Sequence, residues 1–197
     1  MKYSHILTEN KFDFIAVDFR NHGQSSLSLP ISAGFYEKLD LISVLKWAKR
    51  EWKQVHILST SMGSYATIYA LADIDDQYQP NSVILESFGV DIKIGTRDTL
   101  AFLYKFPFLL SSLITSYAHL RSPHMFVRDL RQDLKKIKIP LLVAHGDKDR
   151  IYSSLTIQLI LRKILPSETQ YITINGVGHS ELWRNKKFQE VLFKFLM

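Results

Sequence analysis

The chain has 197 residues and a mass of 22.9 kDa, the size of one domain with room for a small insertion. Hydrophobic residues make up 46% and charged residues 22%, ordinary for a globular protein, which excludes a disordered, collagenous or coiled-coil chain. With no cysteine, a disulfide framework, a thiolate nucleophile and a sulfur-ligated zinc site are excluded too, and 25 Lys and Arg against 19 Asp and Glu leave a net charge of +6.

That charge falls in short knots at Lys46–Lys53, Lys135–Lys138 and Arg184–Lys187, each at the edge of an apolar run. Scattered so, it marks a solvated face and not a nucleic-acid stripe. The opening MKYSHILTEN lacks the apolar run of a signal peptide, and a cytoplasmic protein is expected.

In chain order, Tyr3–Asn10 is a short helix candidate, and Ile15-Ala16-Val17, ending at Asp18, is a first strand candidate. From Phe35 to Trp52, apolar residues at Leu41, Val44, Leu45, Ala48 and Trp52 line one helix face. Val55–Leu58 is a second strand, and Met62–Ala72, small and apolar all round, a buried helix. Ser82–Leu85 is a third strand, and Leu141–Ala144 a fourth, opened by Pro140 where a missing N–H is tolerated. Leu155–Ile164 predicts a helix stopped by Pro166, Tyr171–Ile174 a fifth strand, and Phe188, Val191, Leu192 and Phe195 a last amphipathic helix. Near-continuous apolar strands separated by helices imply a parallel sheet covered on both faces.

Ligands and catalysts of such a sheet collect at the carboxyl ends of its strands. Ser59-Thr60-Ser61-Met62-Gly63 follows the second strand, His145-Gly146-Asp147-Lys148-Asp149 the fourth and Asn175-Gly176-Val177-Gly178-His179 the fifth. A serine hydroxyl needs a base for its proton, and the base needs a carboxylate to fix its tautomer. Ser61, His179 and Asp149 come from three loops that can meet at one rim. Each also has a plainer role: Ser61 as a helix N-cap, Asp149 and Asp147 as turn formers, and His179 as a loop hydrogen bonder. His22 and His145 are expected to shape loops near the site, and His5, His56, His119 and His124 to bond locally. A metal site from His145, Asp147 and Asp149 is the remaining alternative.

From about Lys11 onward these motifs resemble the α/β-hydrolase superfamily. Asp18-Phe19-Arg20-Asn21-His22-Gly23-Gln24-Ser25 is similar to its D-x-R-G-H-G-x-S turn, with Asn21 in a glycine slot that asparagine tolerates. Ser59–Gly63 is similar to its strand–Ser–helix elbow, with serine for the usual first glycine. Pro140–Asp149 resembles its strand–H-G-x-x-D segment, which selects Asp149 over Asp147, and Gly176–His179 resembles its G-x-G-H.

The resemblance implies an α/β fold, a mainly parallel sheet with flanking helices, built from residues 1–89 and 126–197. Residues 90–125 are expected to insert as a helical cap. The implied chemistry is carboxylic ester hydrolysis through an acyl-enzyme, with Ser61, His179 and Asp149 catalytic and the Met62 N–H at the oxyanion. No cofactor or metal is implied, and the partner is a small ester, not a nucleic acid. Peptidase, thioesterase and acyltransferase chemistry use the same groups, and a non-catalytic or truncated scaffold is the alternative from another class.

The resemblance further implies three strands before the Asp18 turn, the third leading into an H-G-type loop that donates a second oxyanion N–H. Tyr3–Asn10 corresponds to the helix after that loop. The strand between those ending at Asp18 and Ser59 is therefore expected to be missing, an N-terminally truncated sheet. In the cap, Thr99–Leu120 is long enough to span a bilayer, but Lys105 and Pro107 interrupt it. Its aromatics are expected to line an acyl pocket, to rest on lipid or, for about half of them, to pack in the core.

Overall fold

Four strands, β1 (His56–Thr60), β2 (Ser82–Glu86), β3 (Leu141–Gly146) and β4 (Gln170–Ile174), form one sheet in the order β1-β2-β3-β4. All neighbours are parallel, with Leu58 opposite Ile84, Leu85 opposite Val143 and Ala144 opposite Ile172. The computed structural model describes residues 2–27, 32–121, 123 and 128–197. The expectation placed on His124, and those on 122 and 125–127, lie outside the described residues.

Alternation along the strands divides the core in two. Val83, Leu85, Leu141 and Val143 point to one face, under α2 (Glu37–Glu51), α3 (Met62–Asp73), α6 (Leu130–Leu134) and α7 (Ser154–Leu161). Ile84, Leu142, Ala144 and Ile174 point to the other, under Phe188 and Leu192 of α8 (Lys186–Leu196) and Tyr3, just before α1 (Ser4–Glu9). Helix starts follow local chemistry: the Asn185 side chain accepts from Phe188 N, and Ser153 from Thr156 N.

The strand expected at Ile15–Val17 does not form. Residues 12–19 join no ladder, and Phe14, Ile15 and Val17 are exposed. The reason is a missing neighbour: a strand needs a hydrogen-bonding partner, and among the described residues β1 pairs only with β2. The run is anchored beyond its end, where Arg20 donates to the Asp40 carboxylate of α2 at 2.6 Å. The following turn has the expected conformation, with Asn21 at φ 63° and Gln24 N donating to Asp18 Oδ2 at 3.0 Å. His22 bonds the Arg20 carbonyl through Nδ1 at 2.9 Å, a loop-shaping contact.

The 99–120 stretch is two helices, α4 (Ile92–Phe102) and α5 (Phe108–Arg121). Ser111 N donates to the Pro107 carbonyl, so the proline sits at the entry to α5, where its missing N–H is harmless. The expected core packing of about half its aromatics is corrected: Phe102, Tyr104, Phe106, Phe108 and Tyr117 are all exposed. The buried Ser111 and Thr115 mark the inward face of α5, and the buried Gly95 of α4 faces Tyr152, so the large side chains of the stretch lie on the outward faces. Among the described residues no helix is long and apolar enough to cross a membrane.

Candidate active site

The site begins with a backbone turn. Between β1 and α3, Ser61 has φ 53° and ψ −118°, a conformation that non-glycine residues avoid. Its amide is held by the Glu86 carbonyl of β2 at 2.9 Å. Ser61 occupies the N-cap position of α3, yet its side chain makes no cap bond. The hydroxyl is turned to His179 instead. The flanking Ser59 and Gly63 are small, but a Cβ on Gly63 would meet Ser59 Cβ only at 3.8 Å, ordinary contact, so strand and helix approach less tightly here than the motif suggests.

Ser61 Oγ lies 2.9 Å from His179 Nε2, and His179 Nδ1 lies 2.8 Å from Asp149 Oδ2. The arrangement assigns the proton to Nδ1, donating to the carboxylate, and leaves Nε2 to accept from the hydroxyl. Residues 118 positions apart in the chain thus meet at one hydrogen bond.

Asp149 has a fully buried side chain, and its Oδ1 accepts from Ile151 N at 2.9 Å and Tyr152 N at 3.0 Å. Burial alone would raise its pKa. The imidazole and the two backbone N–H groups outweigh it and hold the carboxyl below its ordinary value, so it is an anion at neutral pH. Tyr152 adds a wall, its ring 5.8 Å from the imidazole and its hydroxyl 2.7 Å from Tyr65 Oη. That tyrosine carried no recognisable signal in the sequence.

The other candidates have local duties. Asp147 Oδ1 accepts from Gly176 N at 2.6 Å, tying the loop of Asp149 to the loop of His179. His145 is buried and lies 2.8 Å, through Nε2, from the Phe88 carbonyl; burial lowers its pKa and keeps it neutral. His145, Asp147 and Asp149 thus face three different partners, which removes them as a ligand set. His5 pairs with Glu9 one turn away, whereas His56 is not the loop residue expected: it lies on β1 and bonds Ser82 Oγ of β2 across the sheet. Met62 opens α3, so its N–H lacks an intrahelical acceptor and stands beside Ser61.

No family model matches this sequence. Solved structures do match its fold. An esterase of Pyrococcus furiosus aligns with a TM-score of 0.75 at 18% identity, over 99% of this chain and 73% of its own. An esterase of Exiguobacterium antarcticum aligns at 0.71 and 16%, over 99% of this chain and 86% of its own, and a bromoperoxidase of Bacillus anthracis at 0.71 and 21%, over 99% and 85%. The chain has the α/β-hydrolase fold, with a parallel sheet and flanking helices.

Proposed function

We propose that this protein is a serine hydrolase acting on carboxylic esters. The observation that carries the reading is the continuous Ser61–His179–Asp149 hydrogen-bond chain, built on a strained turn that denies Ser61 a capping role. His179 Nε2 takes the Ser61 proton as Oγ attacks the ester carbonyl carbon, and Asp149 stabilises the imidazolium. The Met62 N–H faces the developing oxyanion. On collapse, the C–O bond to the alcohol breaks and His179 returns the proton to the leaving oxygen. Water, deprotonated by the same nitrogen, then releases the acid and restores Ser61.

An apolar acyl group is part of this reading on the apolar character of the 99–120 sequence alone, since its aromatics are exposed. The esterases of similar fold support hydrolysis in general and leave the substrate to experiment.

A fluorophosphonate probe applied to the folded protein tests the reading. Labelling is expected at Ser61, absent in Ser61→Ala and slowed about 10⁴-fold in Asp149→Asn, where the neutral amide selects the wrong tautomer. A folded chain that takes up no label refutes it and favours a binding scaffold. A panel of esters, thioesters and peptides then separates the acyl-transfer chemistries.

A further inference from the structure

We propose that the outward face of the α4–α5 pair docks on an anionic phospholipid surface, with the cleft between the two helices receiving a lipid phosphate. On α5, Leu109, Leu113, Tyr117 and Leu120 recur at the three- and four-residue spacing of one helix face and are 73%, 60%, 63% and 78% exposed. Ser111 and Thr115, on the opposite face, are buried. Leu103, Tyr104, Phe106 and Phe108 extend the exposed surface through the connection. Soluble surfaces rarely carry so much contiguous apolar area without a partner.

Charge selects the partner. Across residues 91–121 the cations Lys93, Arg97, Lys105 and Arg121 outnumber Asp91 and Asp98, and from Thr99 to Arg121 no acidic residue is present. Beside the stripe lies a cleft of about 240 Å³ lined by Lys93, Ile94, Arg97, Ser112, Thr115 and Ser116. It offers two cations, and of its three hydroxyls those of Ser112 and Thr115 already donate to the Phe108 and Ser111 carbonyls. Arg97 is shared with Asp98 at 2.7 Å and lies over the Phe108 ring, whereas Lys93 has no carboxylate partner among the described residues. Such a mixture of exposed leucine, aromatic rings and lysine suits a bilayer interface, where the rings sit at headgroup depth and the cations reach phosphate. A second copy is the poorer occupant. A two-fold self-contact would set Lys105 and Arg121 of one copy against the same cations of the other.

The α4 helix that walls the cleft also rests on Tyr152 at Gly95, so one helix links the docking face to the imidazole. Docking itself uses none of Ser61, His179 and Asp149, and it stands or falls separately from ester hydrolysis.

The test is co-sedimentation of the full chain, as the non-hydrolysing Ser61→Ala form, with phosphatidylcholine vesicles with and without phosphatidylglycerol. Partition onto the phosphatidylglycerol vesicles is expected, weakening in high salt and about fivefold in Lys93→Ala, the share of one surface cation. A further Leu109→Glu/Leu113→Glu change should lower it at least about tenfold. Both sites are exposed, and matched circular dichroism melts verify that the variants fold. Failure of the folded protein to sediment with anionic vesicles overturns the proposal, as does undiminished binding by the double glutamate variant. Sedimentation velocity showing a dimer that the glutamates dissociate would assign the face to a second copy instead, and also overturns it.

Discussion

Replacing Ser61 by glycine should make the protein more stable while removing the nucleophile of the proposed hydrolysis. At φ 53° and ψ −118°, the Ser61 Cβ is crowded by its own backbone. Non-glycine residues held in such regions cost about 1–3 kcal/mol. Glycine relieves this strain but loses about 0.5–1 kcal/mol more conformational entropy on folding. The balance is a gain of up to about 2.5 kcal/mol, or up to about 10 °C in melting temperature for a chain of this length.

The comparison must be with Ser61→Ala, which also lacks the hydroxyl but keeps the Cβ. A helix N-cap prefers glycine to alanine even when unstrained. That preference is measured at Ser153, which caps α7 at an ordinary φ of −64°. The gain of glycine over alanine at 61, less the same difference at 153, isolates the strain. Calorimetric scans of the four variants supply the numbers. If Ser61→Gly melts no higher than Ser61→Ala once corrected, the turn stores no strain and the reasoning fails.

Gly95→Ala should destabilise the protein by up to about 2 kcal/mol, because overpacking of about 1–3 kcal/mol exceeds a helix-propensity gain of about 1 kcal/mol. The added Cβ would lie 1.9 Å from the Tyr152 hydroxyl, itself bonded to Tyr65, so probe labelling should slow along with the fall in urea midpoint. A variant with unchanged midpoint and labelling removes the linkage between α4 and the imidazole. Asp73 is held at a pKa of about 2 by hydrogen bonds from Arg128 and Lys38, which outweigh its partial burial. A depressed folded-state pKa contributes stability above the unfolded value, and that contribution is lost as pH falls towards about 2. The urea midpoints of wild type and Asp73→Asn should therefore differ near neutrality and converge in acid; a constant gap contradicts the assignment.

Much of this was legible in the primary structure because local patterns and tertiary demands agree. The runs at Ser82–Leu85 and Leu141–Ala144 are apolar without alternation, and both strands are buried on both faces. The three loops that follow strands are where Ser61, Asp149 and His179 stand, since a parallel sheet sends all its carboxyl ends to one rim. Ile15–Val17 misled because strand character belongs to a pair: an apolar run cannot report whether a neighbour is there to bond it. The outward aromatics of α4 and α5 were illegible for a related reason. Which face of α5 turns inward is set by the packing of Ser111 and Thr115, not by the hydrophobicity of the rings. Tyr152 has no signal in the sequence because its place beside His179 follows from the path of the Asp149 loop, which carries no periodic signature.

The ties between the β3 and β4 loops have a mechanical consequence. Asp147 N bonds the Ile174 carbonyl at 3.0 Å and Lys148 N the Val177 carbonyl at 2.9 Å, while the Asp147 carboxylate grips Gly176 N. Gly146 leaves no room between them, since a Cβ there would lie 2.0 Å from the Val177 oxygen. Carboxylate and imidazole are thus mounted on one stiff bracket, and the serine on another. A local bond from Thr60 Oγ1 to Ser180 Oγ at 2.9 Å joins the brackets beside Ser61 and His179. Wear in the molecule, from heat or mutation, will therefore show first as a change in serine-to-imidazole spacing, with the imidazole–carboxylate couple still intact.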